Sequence, residues 1–262
     1  MGRKVMVAPV GFEFDRVIDG QKYEPCNVWY VLRNPQGASD AVGEYSIIFS
    51  DRVVEKIATL PLQEWHAVDV RQSDLLGLVQ AFANIVKDER SKDPEAEFVF
   101  NASSSTKTAQ CAAALVAGLC PAPVKLLYLR PREEITLAEL VASGDMPLEE
   151  IRQQFLEHGE CHAPFVAEYF PVVPLAPFTP AEVAILKNLA ETKTQEAISN
   201  LVGVIVPRQG QPARKDLVKA GWSVKALERM RLVKTQKVNQ MKSVTITLEG
   251  EVIAAALDIL TE

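Results

Sequence analysis

Cysteine is scarce in this chain: four residues, Cys26, Cys111, Cys120 and Cys161, scattered without C-x-x-C spacing. No disulfide framework or thiolate zinc site is implied. Histidine is scarcer, with only His66, His158 and His162. His158, Cys161 and His162 lie close together, but three candidate ligands without a fourth fit a plain acidic loop better than a metal site, and no metal or cofactor is expected. Long apolar runs are missing too. The longest, such as Cys111 to Cys120, fall well short of the roughly 20 residues that a membrane span needs. The start, Met1-Gly2-Arg3-Lys4-Val5, runs straight into a strand pattern without a cleavable apolar segment. A soluble, cytoplasmic protein with no membrane partner is expected. Neither G-x-G-x-x-G nor the Walker A spacing occurs, so a dinucleotide enzyme and a P-loop nucleotidase both lack support.

What is present has ordinary globular proportions, 48% hydrophobic and 24% charged residues over 262, enough for one large domain or two smaller ones. The net charge of −6 is unevenly spread. Residues 178–262 carry 12 Lys+Arg against 9 Asp+Glu, and the segment Arg208 to Lys242 carries 10 against 2. A basic segment on an otherwise acidic chain is the footprint expected of contact with a phosphate backbone, although a solvated helix face can look the same.

The first half alternates strand-length apolar runs with longer helical patterns. Strands are expected at Lys4 to Pro9, Asn27 to Leu32, His66 to Val70, Glu97 to Asn101 and Val124 to Leu129. Helical spacing occupies Phe12 to Ile18, Ser46 to Thr59, Asp74 to Lys87 and Thr106 to Leu119; in the third, Leu75, Leu78, Val79, Phe82 and Ile85 share one face. This β-α order predicts an α/β, Rossmann-like, mostly parallel sheet with helices on both faces, and ligands bind such sheets beyond the carboxyl ends of the strands. Further helices are expected at Ile135 to Ser143 and Leu148 to His158. Pro171, Pro174, Pro177 and Pro180 then mark a linker or edge strand, with a domain boundary near Phe178 separating residues 1–177 from 178–262.

Beyond that boundary Thr179-Pro180-Ala181-Glu182 reads as a helix start, with Val183, Ile185, Leu186 and Leu189 behind it. A second helix is expected at Gln195 to Val204 and a third capped by Ser223, with strands at Leu232 to Lys237 and Ser243 to Leu248 and a last helix through Leu260. Helices, a two-stranded wing and a terminal helix describe a winged helix-turn-helix. Lys225 and Arg229 would project from the recognition helix, Arg208, Arg214, Lys215 and Lys219 would precede it, and Lys234, Lys237 and Lys242 would lie on or near the wing. Phosphate contacts from such residues bind double-stranded DNA in a salt-dependent way; a winged helix used for dimerisation or protein contact is the other reading.

Two resemblances follow from these residues. Leu227-Glu228-Arg229-Met230-Arg231-Leu232-Val233-Lys234 resembles the junction between recognition helix and wing in prokaryotic winged-helix regulators, and Ile246-Thr247-Leu248-Glu249-Gly250 is similar to their segment after the wing; Arg231 stands where they usually carry Gly. Phe98 to Lys107 followed by a small-residue helix resembles the CARF domain, the CRISPR-associated Rossmann fold, and Val7 to Phe12 with Asp15-Arg16 resembles that family's first-strand loop. Ser104 and Ser105 stand where many relatives have at least one Gly, and residues 130 to 177 match neither pattern. The resemblance implies a homodimer that binds a cyclic oligoadenylate, cyclic tetra-adenylate foremost, through Val10, Gly11, Phe12, Asn101, Ser103, Ser104, Ser105, Thr106 and Lys107, and so alters the activity of an attached effector. For this chain it implies a ligand-responsive transcriptional regulator.

The residues support part of this unaided. A strand followed by Ser103-Ser104-Ser105-Thr106-Lys107 and a helix offers first-turn amides, the positive end of the helix dipole, hydroxyl donors and one ammonium to an anion. The same residues also read as an N-cap cluster with a surface lysine. Gly11 reads as a tight turn or as close approach of backbone to ligand, and Arg16 as a salt-bridged helix residue. The rival to a regulator is an enzyme, a ring nuclease cleaving a cyclic oligoadenylate at the Ser103 to Lys107 loop. No histidine lies on the strand-end loops, so such cleavage would rest on an in-line 2′-hydroxyl and on Lys107.

Overall fold

The computed structural model describes the chain except residues 1, 36–40, 63, 133–140, 143, 145, 162, 173–174, 176–177, 207–212, 239–240 and 261–262. It divides into two compact units, Met1–Pro174 and Leu175–Glu262.

In the first unit, β1 (Lys4–Pro9), β2 (Val28–Arg33), β3 (Glu64–Asp69), β4 (Glu97–Asn101) and β5 (Val124–Pro131) pair in parallel, and β6 (Phe165–Phe170) joins β5 antiparallel. The order β3-β2-β1-β4-β5-β6 reverses direction between β1 and β4, the crevice where doubly wound sheets bind ligands. The strands form where Val, Phe, Trp and Tyr concentrate. Central β1 and β2 are buried almost throughout and read as continuous apolar runs, whereas edge strand β3 alternates.

Period-two alternation gives each face its own core. Met6, Trp29, Val31, Val99, Leu127 and Leu129 pack with Phe49, Val53 and Ile57 of α3 (Ala41–Ile57). On the other face Phe100 meets Phe82 of α4 (Leu75–Lys92), ring centroids 4.7 Å apart, and α4 lies beside α5 (Lys107–Leu119). Each such side chain, fully buried, contributes about 1.5–3 kcal/mol.

Several boundaries differ from the sequence expectation. Strand β6 was not anticipated, because its alternation lies in a passage without a strong periodic signal. The first helix is two single turns, α1 (Asp15–Ile18) and α2 (Gly20–Tyr23). Helix α4 runs through the charged stretch after Lys87 to Lys92 because Glu89 is fully buried there against Arg3. α6 (Leu148–His158) matches its expected span. The helix expected at Ile135 to Ser143 lies largely outside the described residues, as do His162, Pro174, Pro177 and Arg208.

The second unit opens with α7 (Pro180–Thr192), where Thr179 and Glu182 form a reciprocal capping box ahead of a buried Ile185, Leu186 and Leu189 face. Next come β7 (Glu196–Ala197), α8 (Ile198–Ile205), α9 (Arg214–Arg229), the hairpin β8 (Val233–Val238) and β9 (Met241–Ile246), and α10 (Leu248–Leu260). β7 pairs with β9 to make a three-stranded sheet. Ser223 caps nothing: it is a buried residue inside α9, on the stripe Ala220, Ser223, Val224, Leu227. Arg214, Lys215 and Lys219 therefore share one helix with Lys225 and Arg229 instead of preceding it. Arg231 adopts φ 62°, the left-handed conformation that explains glycine in similar sequences. Thr247 starts α10, accepting from the Gly250 amide (3.0 Å) and donating to the Arg231 carbonyl (2.8 Å). A Cβ on Gly250 would collide with the Leu232 carbonyl oxygen.

Candidate functional site

Strands β1 and β4 are neighbours, so their following loops meet above the carboxyl edge of the sheet. The Gly11 amide donates to the Ser104 carbonyl (2.5 Å), and a Cβ on Gly11 would stand 2.7 Å from that oxygen. Glycine is required here by the approach of two loops. Asn101, ending β4, is 1% exposed: Nδ2 donates to the Arg16 and Val17 carbonyls (3.3 and 3.4 Å), and Oδ1 accepts from the Ser103 amide (3.1 Å) and hydroxyl (2.5 Å). Ser103 Oγ in turn accepts from the Leu129 amide (2.8 Å).

The other hydroxyls are also engaged. Ser104 donates to the Glu13 carbonyl (3.1 Å), Ser105 to Ala102 (3.3 Å) and Thr106 to Gln72 (2.6 Å), while Thr106 Oγ1 accepts from the Ala109 amide (3.2 Å) as the N-cap of α5. Each of these protons is committed to a backbone carbonyl, so the hydroxyls would exchange those partners to donate to a ligand. What faces outward is the first turn of α5, whose amides have no carbonyl within the helix to meet, and Lys107, which is exposed.

These loops border a cavity of about 370 Å³. Of the residues expected at the site, Gly11, Phe12, Ser103, Ser104, Ser105, Thr106 and Lys107 line it. Val10 and Asn101 do not: Val10 is a fully buried core residue whose carbonyl accepts from Ser46 Oγ (3.3 Å), and Asn101 locks the loop from below.

The lining also includes Glu13, Arg16, Gln72, Tyr128 and Glu160, of which only Arg16, as a salt-bridged helix residue, is expected from the sequence. Arg16 is 7% exposed, pairs with Glu13 (Nη1 to Oε1, 2.9 Å), donates through Nε to the Leu129 carbonyl (2.7 Å) and lies over the Tyr128 ring at 4.9 Å. Burial pushes the Glu13 carboxyl up to about 7, and the Arg16 charge opposes it without restoring the usual range. Glu13 Oε2, Arg16 Nη2 and Gln72 Oε1 are buried without a hydrogen-bond partner. The signal for the pair was available in the sequence, as an acidic and a basic residue at i, i+3 just after the first strand. Gln72 had none, because it comes from a turn after β3.

In the second unit Arg214, Lys215, Lys225, Arg229, Lys234, Lys237 and Lys242 are all exposed, the first four on α9 and the rest on the hairpin. Lys237 and Lys242 are cross-strand partners, an arrangement of like charges that destabilises a hairpin in isolation. Lys242 also lies 3.8 Å from Glu228. At the loop with the candidate metal ligands, His158 Nδ1 bonds Asp15 (2.9 Å), and among the described residues no three His, Cys, Asp or Glu side chains gather as a metal would require. No helix among them is long and apolar enough to cross a membrane.

No curated protein matches the chain. Among solved structures that match is Enterococcus italicus Csm6 bound to cyclic hexa-2′-fluoro-hexa-dAMP, at 12% identity and a TM-score of 0.43 over 88% of this chain; the chain spans only 55% of that one. A family model described as "HFX_2341_N:-like, N-terminal" matches residues 4–134. That span takes in the parallel strands β1 to β5 and both loops of the cavity, and with half of its length matched the chain belongs to the HFX_2341_N-like family, by its N-terminal domain.

Proposed function

We propose that this protein is a ligand-responsive regulator: an N-terminal CARF-like unit senses a cyclic oligoadenylate or related nucleotide, and a C-terminal winged helix-turn-helix binds double-stranded DNA as part of a cytoplasmic homodimer. The observation that carries the sensing half is the cavity at the reversal point of the sheet, where loop backbones, the start of α5, Lys107 and unpartnered buried polar atoms converge. A cavity of that size suits part of a nucleotide, and the α5 start suits a phosphate.

The DNA-binding half is supported by the order α7-β7-α8-α9-β8-β9 and by the eight exposed cations that α9 and the hairpin carry. The paired Lys237 and Lys242 favour a polyanion across the hairpin tip. For a ligand to switch such a protein it must bind two states of the dimer with different affinity.

Calorimetric titration of wild type and Lys107→Ala with cyclic tetra-adenylate and cyclic hexa-adenylate tests the sensor. Binding that weakens in the variant supports it, and no heat with either ligand sinks it. Chromatography of the same mixtures for linear products tests the enzyme alternative, because turnover would make the cavity a ring-nuclease site. DNA affinity measured against salt concentration, with and without ligand, tests the effector. Lys237→Ala should weaken binding about equally on all sequences and reduce the salt slope by about 1.

A further inference from the structure

Arg16 is held on three sides: Nε by the Leu129 carbonyl, Nη1 by Glu13, and its face by the Tyr128 ring. Its remaining nitrogen, Nη2, is buried without a partner in a residue that lines the cavity. Leaving a charged donor buried and unpaired is costly, more so than for a neutral group. Glu13, on the same wall, leaves Oε2 unpartnered, and Gln72 does the same with Oε1. Gln72 has little freedom to turn away, since its amide nitrogen donates to the Leu32 carbonyl (3.2 Å). Three buried polar atoms without partners border one cavity, although natural interiors leave few such groups unsatisfied, so this wall has hydrogen bonds to offer a guest.

We propose that Arg16 is a second anion contact of the cavity, donating through Nη2 to a phosphate oxygen of the ligand, with Glu13 as its positioning residue and as the group that takes up a proton when the ligand binds. This rests on the nucleotide-sensing reading and adds a contact, a ligand charge and a pH dependence to it. The proton balance follows from the surroundings of Glu13. Arg16 is its cation; Glu160, the Cys161 thiol and Tyr128 are the other titratable groups nearby, and Lys107 lines the same cavity. A phosphate that occupies Nη2 shares the positive charge that Glu13 had to itself and brings a like charge beside the carboxylate. Both effects favour the protonated form, whose O–H can donate to a phosphate oxygen.

Because Glu13 titrates at about 7 in the free protein, binding below pH 6 finds it already neutral and takes up no proton, whereas binding at pH 8 draws one from solution. Calorimetry of the wild-type protein with cyclic tetra-adenylate and cyclic hexa-adenylate, in two buffers of different ionisation enthalpy, reads this directly and needs no variant. The expected result is uptake approaching one proton at pH 8 and close to none at pH 6, with affinity weaker at the higher pH by up to about tenfold, because pH 8 lies about one unit above the Glu13 value. Glu13→Gln removes the pH dependence and the proton uptake. Arg16→Lys keeps the charge beside Glu13 but loses the fixed fork, and it weakens binding by tenfold or more while its thermal unfolding shows a folded protein. Binding by wild type with no proton uptake, and with equal affinity in Arg16→Lys, would leave Arg16 a structural residue and overturn the inference while the sensing reading stands. Absence of binding by wild type at either pH would overturn both.

Discussion

The two ends of the parallel sheet treat buried charge in opposite ways. At the amino ends of the strands Arg3 bridges Glu64 (2.6 Å) and Glu89 (2.5 Å), Lys92 reaches both carboxylates, and the Tyr30 hydroxyl completes Glu89. Nearby, Glu24 is held by Lys4 (2.6 Å), Lys125 (2.8 Å) and the Tyr169 hydroxyl (2.8 Å). At the carboxyl ends Glu13 and Arg16 pair with each other, Arg16 also meeting the Leu129 carbonyl and the Tyr128 ring, yet each keeps an atom without a partner. The carboxyls respond accordingly. Against burial, its cations and Tyr169 hold Glu24 down to about 2, and Arg3 holds Glu64 down to about 2; burial wins at Glu13 and lifts it to about 7. At one end Glu24, Glu64 and Glu89 are each held by several groups, and at the other a buried pair keeps unpartnered atoms beside the cavity.

The sharpest way to break this contrast is at Glu89, which is fully buried. Glu89→Ala leaves Arg3 and Lys92 only Glu64 and takes the acceptor from the Tyr30 hydroxyl, and it should cost about 3–5 kcal/mol in urea unfolding, with ligand affinity of the folded protein unchanged. Next is the pH dependence of stability. Glu13 binds its proton more tightly folded (about 7) than at its ordinary value of 4.5, so its contribution is full below pH 4.5 and is lost as pH rises to 7, by about 3 kcal/mol at most. Glu24 and Glu64 are depressed to about 2, so their contribution is full above pH 4.5 and is lost as pH falls towards 2. Denaturation across pH should therefore show a decline on both sides of about pH 4.5, and Glu13→Gln should flatten only the upper limb. A wild-type profile level from pH 4.5 to 7 would contradict the contrast.

Gly11→Ala forces a methyl against the Ser104 carbonyl. Overpacking of that kind costs about 1–3 kcal/mol, and separating the two loops should abolish nucleotide binding in calorimetry. Lys107→Ala lies at the small end: on an exposed residue it should change stability by less than about 0.5 kcal/mol. Its effect should be confined to ligand affinity, which separates the roles of the two ends of the sheet most cleanly.

Much of the architecture was legible because the apolar pattern is strong. Five parallel strands and most of their helices could be located from runs of Val, Leu and aromatics, and the loop from Ser103 to Lys107 stood out at the carboxyl edge of the sheet. Antiparallel β6 was harder, since an edge strand carries a mixed pattern and its pairing with β5 depends on a segment distant in sequence. Ser223 misled because a serine ahead of apolar spacing signals a cap; the 16 residues of α9 instead begin at Arg214 behind Ala213, which makes no side-chain cap. Of the residues that line the cavity, the serines, Thr106 and Lys107 stood in a recognisable motif and Glu13 and Arg16 have i, i+3 spacing, but the meeting of that pair with Gln72 was not readable, because side chains from separate loops acquire a common environment only on packing.

The sequence by itself determined the alternation of strands and helices, the separation of acidic and basic halves, and a small-residue loop opening a helix after β4. These follow from local spacing and residue chemistry. Only the tertiary structure decided which hydroxyls were already committed, which glycine was forced by a neighbouring carbonyl, and which buried charges were left with an unpartnered atom. Those are properties of distances between groups remote in sequence, and burial, which sets whether a carboxyl such as Glu13 titrates near 4.5 or near 7, exists only once the chain has folded.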